Sequence, residues 1–405
     1  MKYTSEWDRI DKEEYIDKEQ VRVSLTFWQD AWRRLKKNVL AMGGLITIVI
    51  IALLAIFGPM FSKNSYSDQK LDLGNIPPRF KAISIGDGDY VYVHKEYKLI
   101  HVSEDGNIIG APKIIKDDKQ ATAITYEIGN KEVIFDYPSA REQKQLQKQL
   151  KEQGSQEELA MYKIFVNGKE INTNLATNMR NKTYFLGTDR LGRDLWVRVL
   201  YGARISLSVG LIASIVNLLI GVIYGGISGY EGGKIDNIMM RIVDLINSIP
   251  LLLIVILLMV YFKPGLSTII ITIGAVYWVS MARLVRGQVL SLKEQEFVLA
   301  AKVLGISKGK IILRHLIPNA IGPIIVSLTM SIPSAIFTES FLSFIGLGVS
   351  APLASWGTLA NDALGGIRSY SYQLIIPSVA IAITMFAFNF LGDGLRDALD
   401  PRLRK

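Results

Sequence analysis

The chain has 405 residues, 49% of them hydrophobic and 20% charged, with a formal net charge of +9. The apolar residues are gathered into long charge-poor runs separated by charged segments, which excludes one evenly mixed soluble core and points to a membrane protein. Cysteine is absent, which excludes disulfides and cysteine-based metal sites. His94, His101 and His315 are too few and too scattered for a metal cluster, and the basic residues flank the apolar runs, which argues against nucleic-acid binding.

Residues 1–37 read as a polar cytoplasmic segment, with no cleavable signal peptide, that ends in the collar Trp32-Arg33-Arg34-Leu35-Lys36-Lys37. Residues 38–62 carry no charge and are long enough for a first transmembrane helix, which needs about 20 residues. Residues 63–185 change character. Alternating segments such as Asp89-Tyr90-Val91-Tyr92-Val93 and Lys131-Glu132-Val133-Ile134-Phe135 are divided by Asp105-Gly106-Asn107, Gly129-Asn130 and Asn167-Gly168, with a charged helical stretch near 139–162. This predicts an inserted, β-rich domain.

Five further spans are expected: Ile205–Tyr230, Leu245–Phe262, Leu266–Ala282 after a Lys263-Pro264-Gly265 turn, Leu316–Thr338 and Ser369–Leu391. Ser340–Ala360 is also charge-free, but its glycines and Pro352 predict a re-entrant or interfacial loop. Six spans place both basic ends in the cytoplasm. The inserted domain then lies outside, and the loop 283–318, with Arg283, Arg286, Lys293, Lys302, Lys308, Lys310 and Arg314, lies inside. The fold class is an all-α polytopic membrane protein of six helices with a β-rich extracytoplasmic insertion, comprising a core over 186–393 and a cytoplasmic tail over 394–405.

The loop 283–318 is too long for a simple turn. Glu294–Leu304 reads as a helix with Phe297, Ala300, Ala301 and Leu304 on one stripe. Gly305 allows a sharp reversal, and Lys308–Leu316 reads as a second helix that Pro318 stops, with Asn319 placed to cap the next span. Such a knob fits either a partner protein or the lipid surface.

Leu299-Ala300-Ala301, Gly305 and Leu316-Ile317-Pro318 resemble the coupling signature of binding-protein-dependent ABC importers. Residues 185–194, 201–207, 342–348 with Pro352 and Ser355-Trp356-Gly357, and 391–404 resemble the C-type permease of the oligopeptide, dipeptide and nickel group. The resemblance implies the type I ABC importer permease fold and a loop, with Glu296, Ala300, Ala301, Gly305, Arg314 and Pro318, that docks on an ATPase. Leu299 stands where the family has glutamate, and Glu296 offers a charge one turn earlier. The implied partners are a second homologous permease, two ABC ATPases that hold ATP and Mg, an extracytoplasmic binding protein and membrane lipid. No cofactor is implied on this chain. The resemblance implies peptide import, with nickel or a nickel chelate as the alternative cargo.

Other residues bear on the path through the membrane. Glu339 either faces a pore or lies solvated at the outer interface, and Asn217, Thr272 and Asn389 either line a path or bond between helices. Thr188-Asp189 and Gly192-Arg193-Asp194 are expected to cap a loop and pair at the surface, with direct substrate contact as the other reading, and Leu391–Arg404 to form a paired, solvated tail. The chain has no Gly-x4-Gly-Lys-Ser/Thr loop for nucleotide and no His-Glu-x-x-His, so it is read as a non-enzyme. A membrane scaffold using the inserted domain is the reading from a different class.

Overall fold

In the computed structural model, the described residues are 26–118, 122–139, 142, 162–262 and 265–400. Most of the expected 139–162 helix, the Lys263-Pro264 turn and the basic residues after 400 lie outside them. Five helices are long and apolar enough to cross a membrane, or six if one pair bent by 84° counts as a single span.

An amphipathic helix α1 (Phe27–Lys37) leads into α2 (Val39–Phe57). Asn38 separates them in an extended conformation, and its side chain accepts from the Ala41 amide, a cap that starts α2 afresh. Ten strands follow as two antiparallel five-stranded sheets, in the orders β10-β1-β2-β3-β4 and β5-β6-β7-β8-β9. β1 (Arg79–Gly86), β2 (Asp89–Val93), β3 (Leu99–Ser103) and β4 (Ile108–Gly110) join through tight turns, with β10 (Thr177–Arg180) returning beside β1. The second sheet is a meander of β5 (Lys113–Asp118), β6 (Ala123–Ile128), β7 (Lys131–Asp136), β8 (Lys163–Val166) and β9 (Lys169–Ile171). The alternation seen in the sequence places Val91, Val133 and Phe135 in the core where the sheets meet.

Four helices follow: α3 (Leu195–Glu231), α4 (Gly233–Ser248), α5 (Leu251–Phe262) and α6 (Leu266–Leu292), of which α3 and α6 are each long and apolar enough to cross a membrane. The short α7 (Glu296–Val303) precedes α8 (Ile321–Phe344), α9 (Trp356–Ala363) and α10 (Tyr372–Leu399). Three expectations are corrected. α3 begins at Leu195, ten residues before the apolar run, because Asp194 caps it and the buried Arg198 is held by ion pairs. The third apolar run is broken at Ile249-Pro250, since the residue before proline avoids helical backbone and Ile249 is extended. Among the described residues the tail is solvated on one side only, with Asp393, Arg396 and Asp397 exposed. α10 continues to Leu399, and Gly392, Gly394, Ala398 and Leu399 are buried, with Gly394 against Ala41 of α2.

Residues 340–360, expected to form a re-entrant or interfacial loop, hold the end of α8, an irregular loop and the start of a short helix. α8 ends at Phe344, and after an irregular loop Ser355 caps the eight-residue α9, which at about 12 Å is too short to cross. Trp356 is buried, and its indole N–H donates 3.0 Å to the Val199 carbonyl of α3.

α3 and α6 are the most closely packed helix pair. Gly221, Gly225 and Gly229 of α3 lie one turn apart and face Met281, Ala282 and Arg286 of α6. A Cβ at Gly229 would meet the Arg286 carbonyl oxygen at 2.8 Å, and one at Gly225 would overlap that of Ala282. Small residues let two backbones meet in lipid, where apolar burial adds nothing.

The inserted domain is pinned to the start of α10. His94 is buried and stacks on Tyr370 at 5.9 Å, Lys95 Nζ donates to the Ser369 carbonyl at 3.2 Å, and Gln373 Nε2 donates to Asn75 Oδ1 at 3.0 Å.

Two predictions follow from this packing. Gly225→Ala destabilises the protein by about 1–3 kcal/mol through overpacking, whereas Gly43→Ala, which enters open space, leaves thermal unfolding in detergent unchanged. Burial, reinforced by Lys98, holds the His94 pKa below its ordinary 6.5, with Glu96 opposing. The unfolded chain therefore takes the proton first, and the stabilisation is complete above that value and is lost as pH falls below it. The melting temperature of the wild type thus drops more steeply between neutral pH and about pH 5.5 than that of His94→Gln.

Candidate functional site

The segment between α6 and α8 forms a compact knob. α7 is followed by Gly305, whose φ of +73° allows the reversal, then by a helical turn Lys308–Ile311 and a π turn Ile312–Leu316. The inward side is Val298, Ala301, Ile311, Ile312 and Leu316, packed with Val285 and Val289 of α6 in one core. This corrects the expected stripe: Phe297, Ala300 and Leu304 face outward, and Ala301 alone of that set is buried. Glu296, Gly305, Arg314 and Pro318 are also exposed. Val303 is 87% and Leu304 78% exposed, an apolar surface that no other described residue covers. Pro318 does not stop the chain. It sits in the first turn of a helical segment Ile317–Asn319, where a missing N–H is tolerated. Asn319 caps nothing further on, and its side chain donates 2.6 Å back to the His315 carbonyl.

Beside the knob, α3 and α6 diverge from α8 and α10 around a cavity of about 970 Å³. Its α3 and α6 wall carries Asn217, Tyr277, Ser280 and Gln288, the α8 wall carries Ser327, Ser331 and Ser334, and Arg396 and Asp400 come from the end of α10. Asn217 is 4% exposed, and its carbonyl oxygen has no hydrogen-bond partner. Of the four path candidates, Asn217 alone lines this cavity. Thr272 is fully buried and donates to its own helix at the Thr268 carbonyl, 2.7 Å away, and Asn389 is half-buried.

Glu339 is neither solvated nor on the cavity wall. It is fully buried between α8 and α3, where Ser343 Oγ donates at 2.7 Å, Ser206 Oγ at 2.9 Å and Ser340 Oγ at 3.3 Å. Several hydroxyl donors take the place of water around the carboxyl group.

The loop before α3 is also more buried than a surface pair. Asp189 accepts from Arg193 Nε at 2.6 Å and from Arg198 Nη1, and Asp362 of α9 lies 3.3 Å from Arg193 and 3.6 Å from Arg198. Asp189, Arg193 and Arg198 are each 6% exposed or less.

Residues 217–405 match the family described as binding-protein-dependent transport system inner membrane component, and residues 26–78 match the N-terminal TM domain of oligopeptide transport permease C. The dipeptide transport system permease protein DppC of Bacillus subtilis is 39% identical over 99% of this chain and 94% of its own length. The oligopeptide transport system permease protein OppC of the same organism is 40% identical over 94% and 92%. The chain belongs to the binding-protein-dependent transport permeases.

Both Bacillus alignments extend through the inserted sheets, whereas the Escherichia coli OppC matches 56% of the permease at 48% identity. The permease is a multi-pass membrane protein of the transporter class, and membership brings ATPase and binding-protein partners in general terms. The sequence reading missed Ser280, Gln288, Ser327, Ser331, Arg396 and Asp400. The signal was there: Ser280, Leu284 and Gln288, like Ser327 and Ser331, recur at four-residue spacing, which marks one helix face.

Asp189→Asn leaves two buried guanidinium groups without their shared carboxylate and costs ~3–5 kcal/mol. Thermal unfolding of the purified permease reads this as a loss larger than that of Asp362→Asn, whose side chain is 36% exposed.

Proposed function

We propose that this permease is the translocating subunit of an ATP-driven importer of oligopeptides or dipeptides. Its relatives carry those substrates in their names, and the peptide reading comes from them. The importer pairs this chain with a second homologous permease, two ABC ATPases and an extracytoplasmic binding protein. ATP and Mg bind at the ATPases, and this chain holds no cofactor. Both termini and the knob lie in the cytoplasm, and the inserted domain lies outside, in keeping with the basic residues of the 283–318 loop.

The observation that carries the mechanism is the two-sided knob. Its inner side shares one core with α3, α6 and the first turns of α8, and its outer side offers Leu299, Val303, Leu304 and Leu313 to a partner. The ATPase closes on that surface, with Glu296 and Arg314 at its edge. The knob then moves with α3 and α6, and the π turn at Ile312–Leu316 flexes against α8. Because α6 and α8 both line the cavity, this motion alternately opens and closes the path. The uncharged hydroxyl and amide groups of the walls suit weak, sequence-tolerant contact with a peptide backbone.

Val303→Glu tests the docking surface without disturbing the core, since Val303 is 87% exposed. Capture of the ATPases by the tagged variant falls about tenfold or more, as for a central interface residue, and uptake of labelled tripeptide falls with it. Undiminished ATPase capture, or cells lacking the chain that import peptide normally, would contradict this function.

A further inference from the structure

A coupling loop can move a membrane helix only if it is fixed to that helix. At the knob the visible attachments are the apolar core and two exposed contacts: Lys308 Nζ to Glu231 at 2.9 Å, and Lys302 Nζ over the Tyr230 ring at 5.7 Å. Exposed pairs of this kind contribute little, and an apolar core fixes proximity better than orientation.

Behind them lies a contact of another kind. Asp236, in the first turn of α4, is 6% exposed. Its carboxylate accepts from Arg286 Nε and Nη2 of α6, both at 2.6 Å, and from Ser228 Oγ of α3 at 2.5 Å. Three helices thus meet on one carboxylate. The two parallel guanidinium bonds fix angle as well as distance, which a point charge such as lysine does not. Arg286 lies between Leu284 and Gln288, both on the cavity wall, and its own carbonyl packs on Gly229 of α3.

We propose that Asp236, Arg286 and Ser228 form a positioning clamp that makes the α3–α4 corner and the knob end of α6 one rigid body. Displacement of the knob then reaches the cavity face of α6, at Tyr277, Ser280, Leu284 and Gln288, without being absorbed in the last turns of that helix. The clamp touches neither peptide nor nucleotide. It sets how much movement of the path each ATPase closure yields, and it rests on the reading of the knob as the ATPase coupling element.

The test uses the complete transporter in proteoliposomes, with ATP hydrolysis and uptake of labelled tripeptide measured on the same vesicles. Asp236→Asn, and Arg286→Lys, which keeps the charge but loses the fork, retain hydrolysis within about twofold. Peptide imported per ATP falls about tenfold, within the range of coupling energies carried by such networks. The exchange Asp236→Arg with Arg286→Asp recovers part of the ratio. A purely structural role lowers hydrolysis, uptake and melting temperature together, and that outcome overturns the clamp. So does an unchanged ratio in both single variants. If the wild-type transporter itself shows no peptide-dependent hydrolysis, the reading of the knob fails instead.

Discussion

The close approach of α3 and α6 is the constraint from which the rest of the membrane portion follows. Three glycines at successive turns of α3 bring its backbone against Met281, Ala282 and Arg286 of α6. In lipid, where helices gain nothing from hiding apolar surface from water, such contact is a main source of helix–helix attraction. It makes the two helices a single arm. The knob grows from the end of that arm and is packed into its core, and the cavity opens where the arm parts from α8 and α10. The glycine face joins the two helices closely along three successive turns.

Three buried carboxylates in this chain follow one pattern, each surrounded by donors. Glu339 has four serine hydroxyls, Asp236 has a forked arginine and a serine, and Asp189 gathers two arginines just before and within α3. Unpaired, any of these would carry a large desolvation cost. The cavity walls, by contrast, are mostly neutral amides and hydroxyls, with Asn217 left short of a partner. Fixed charge locks helices together, and apart from Arg396 and Asp400 at one end, uncharged polarity lines the open space.

Much of this was legible in the sequence. Long apolar runs mark the spans because lipid permits little else, and period-two alternation with turn residues marks the inserted sheets. The helix–glycine–helix form of the loop between α6 and α8 was legible from Gly305 and the apolar spacing on either side of it. Three things were not. The early start of α3 was hidden because Arg198 and Arg204 look foreign to a span until their partners, Asp189 and the Ala55 and Ile56 carbonyls, are brought in from distant segments. The side of α7 that is buried could not be read from its composition, since Phe297 and Val298 are equally apolar and only the orientation of the helix on α6 decides between them. The surroundings of Glu339 come mainly from hydroxyls, and serine near an apolar run is ambiguous until the fold brings Ser206 across from α3.

The absence of cysteine makes the chain suited to paired spin labels on an otherwise unaltered background. The most direct measurement is the distance from Val303 on the knob to Leu219 on α3 and to Phe337 on α8, all exposed positions, taken in the complete transporter with and without ATP. A rigid arm predicts that the Val303–Leu219 distribution stays fixed on ATP binding while the Val303–Phe337 distribution shifts. A knob that moves away from Leu219 while keeping its distance to Phe337 would contradict the account.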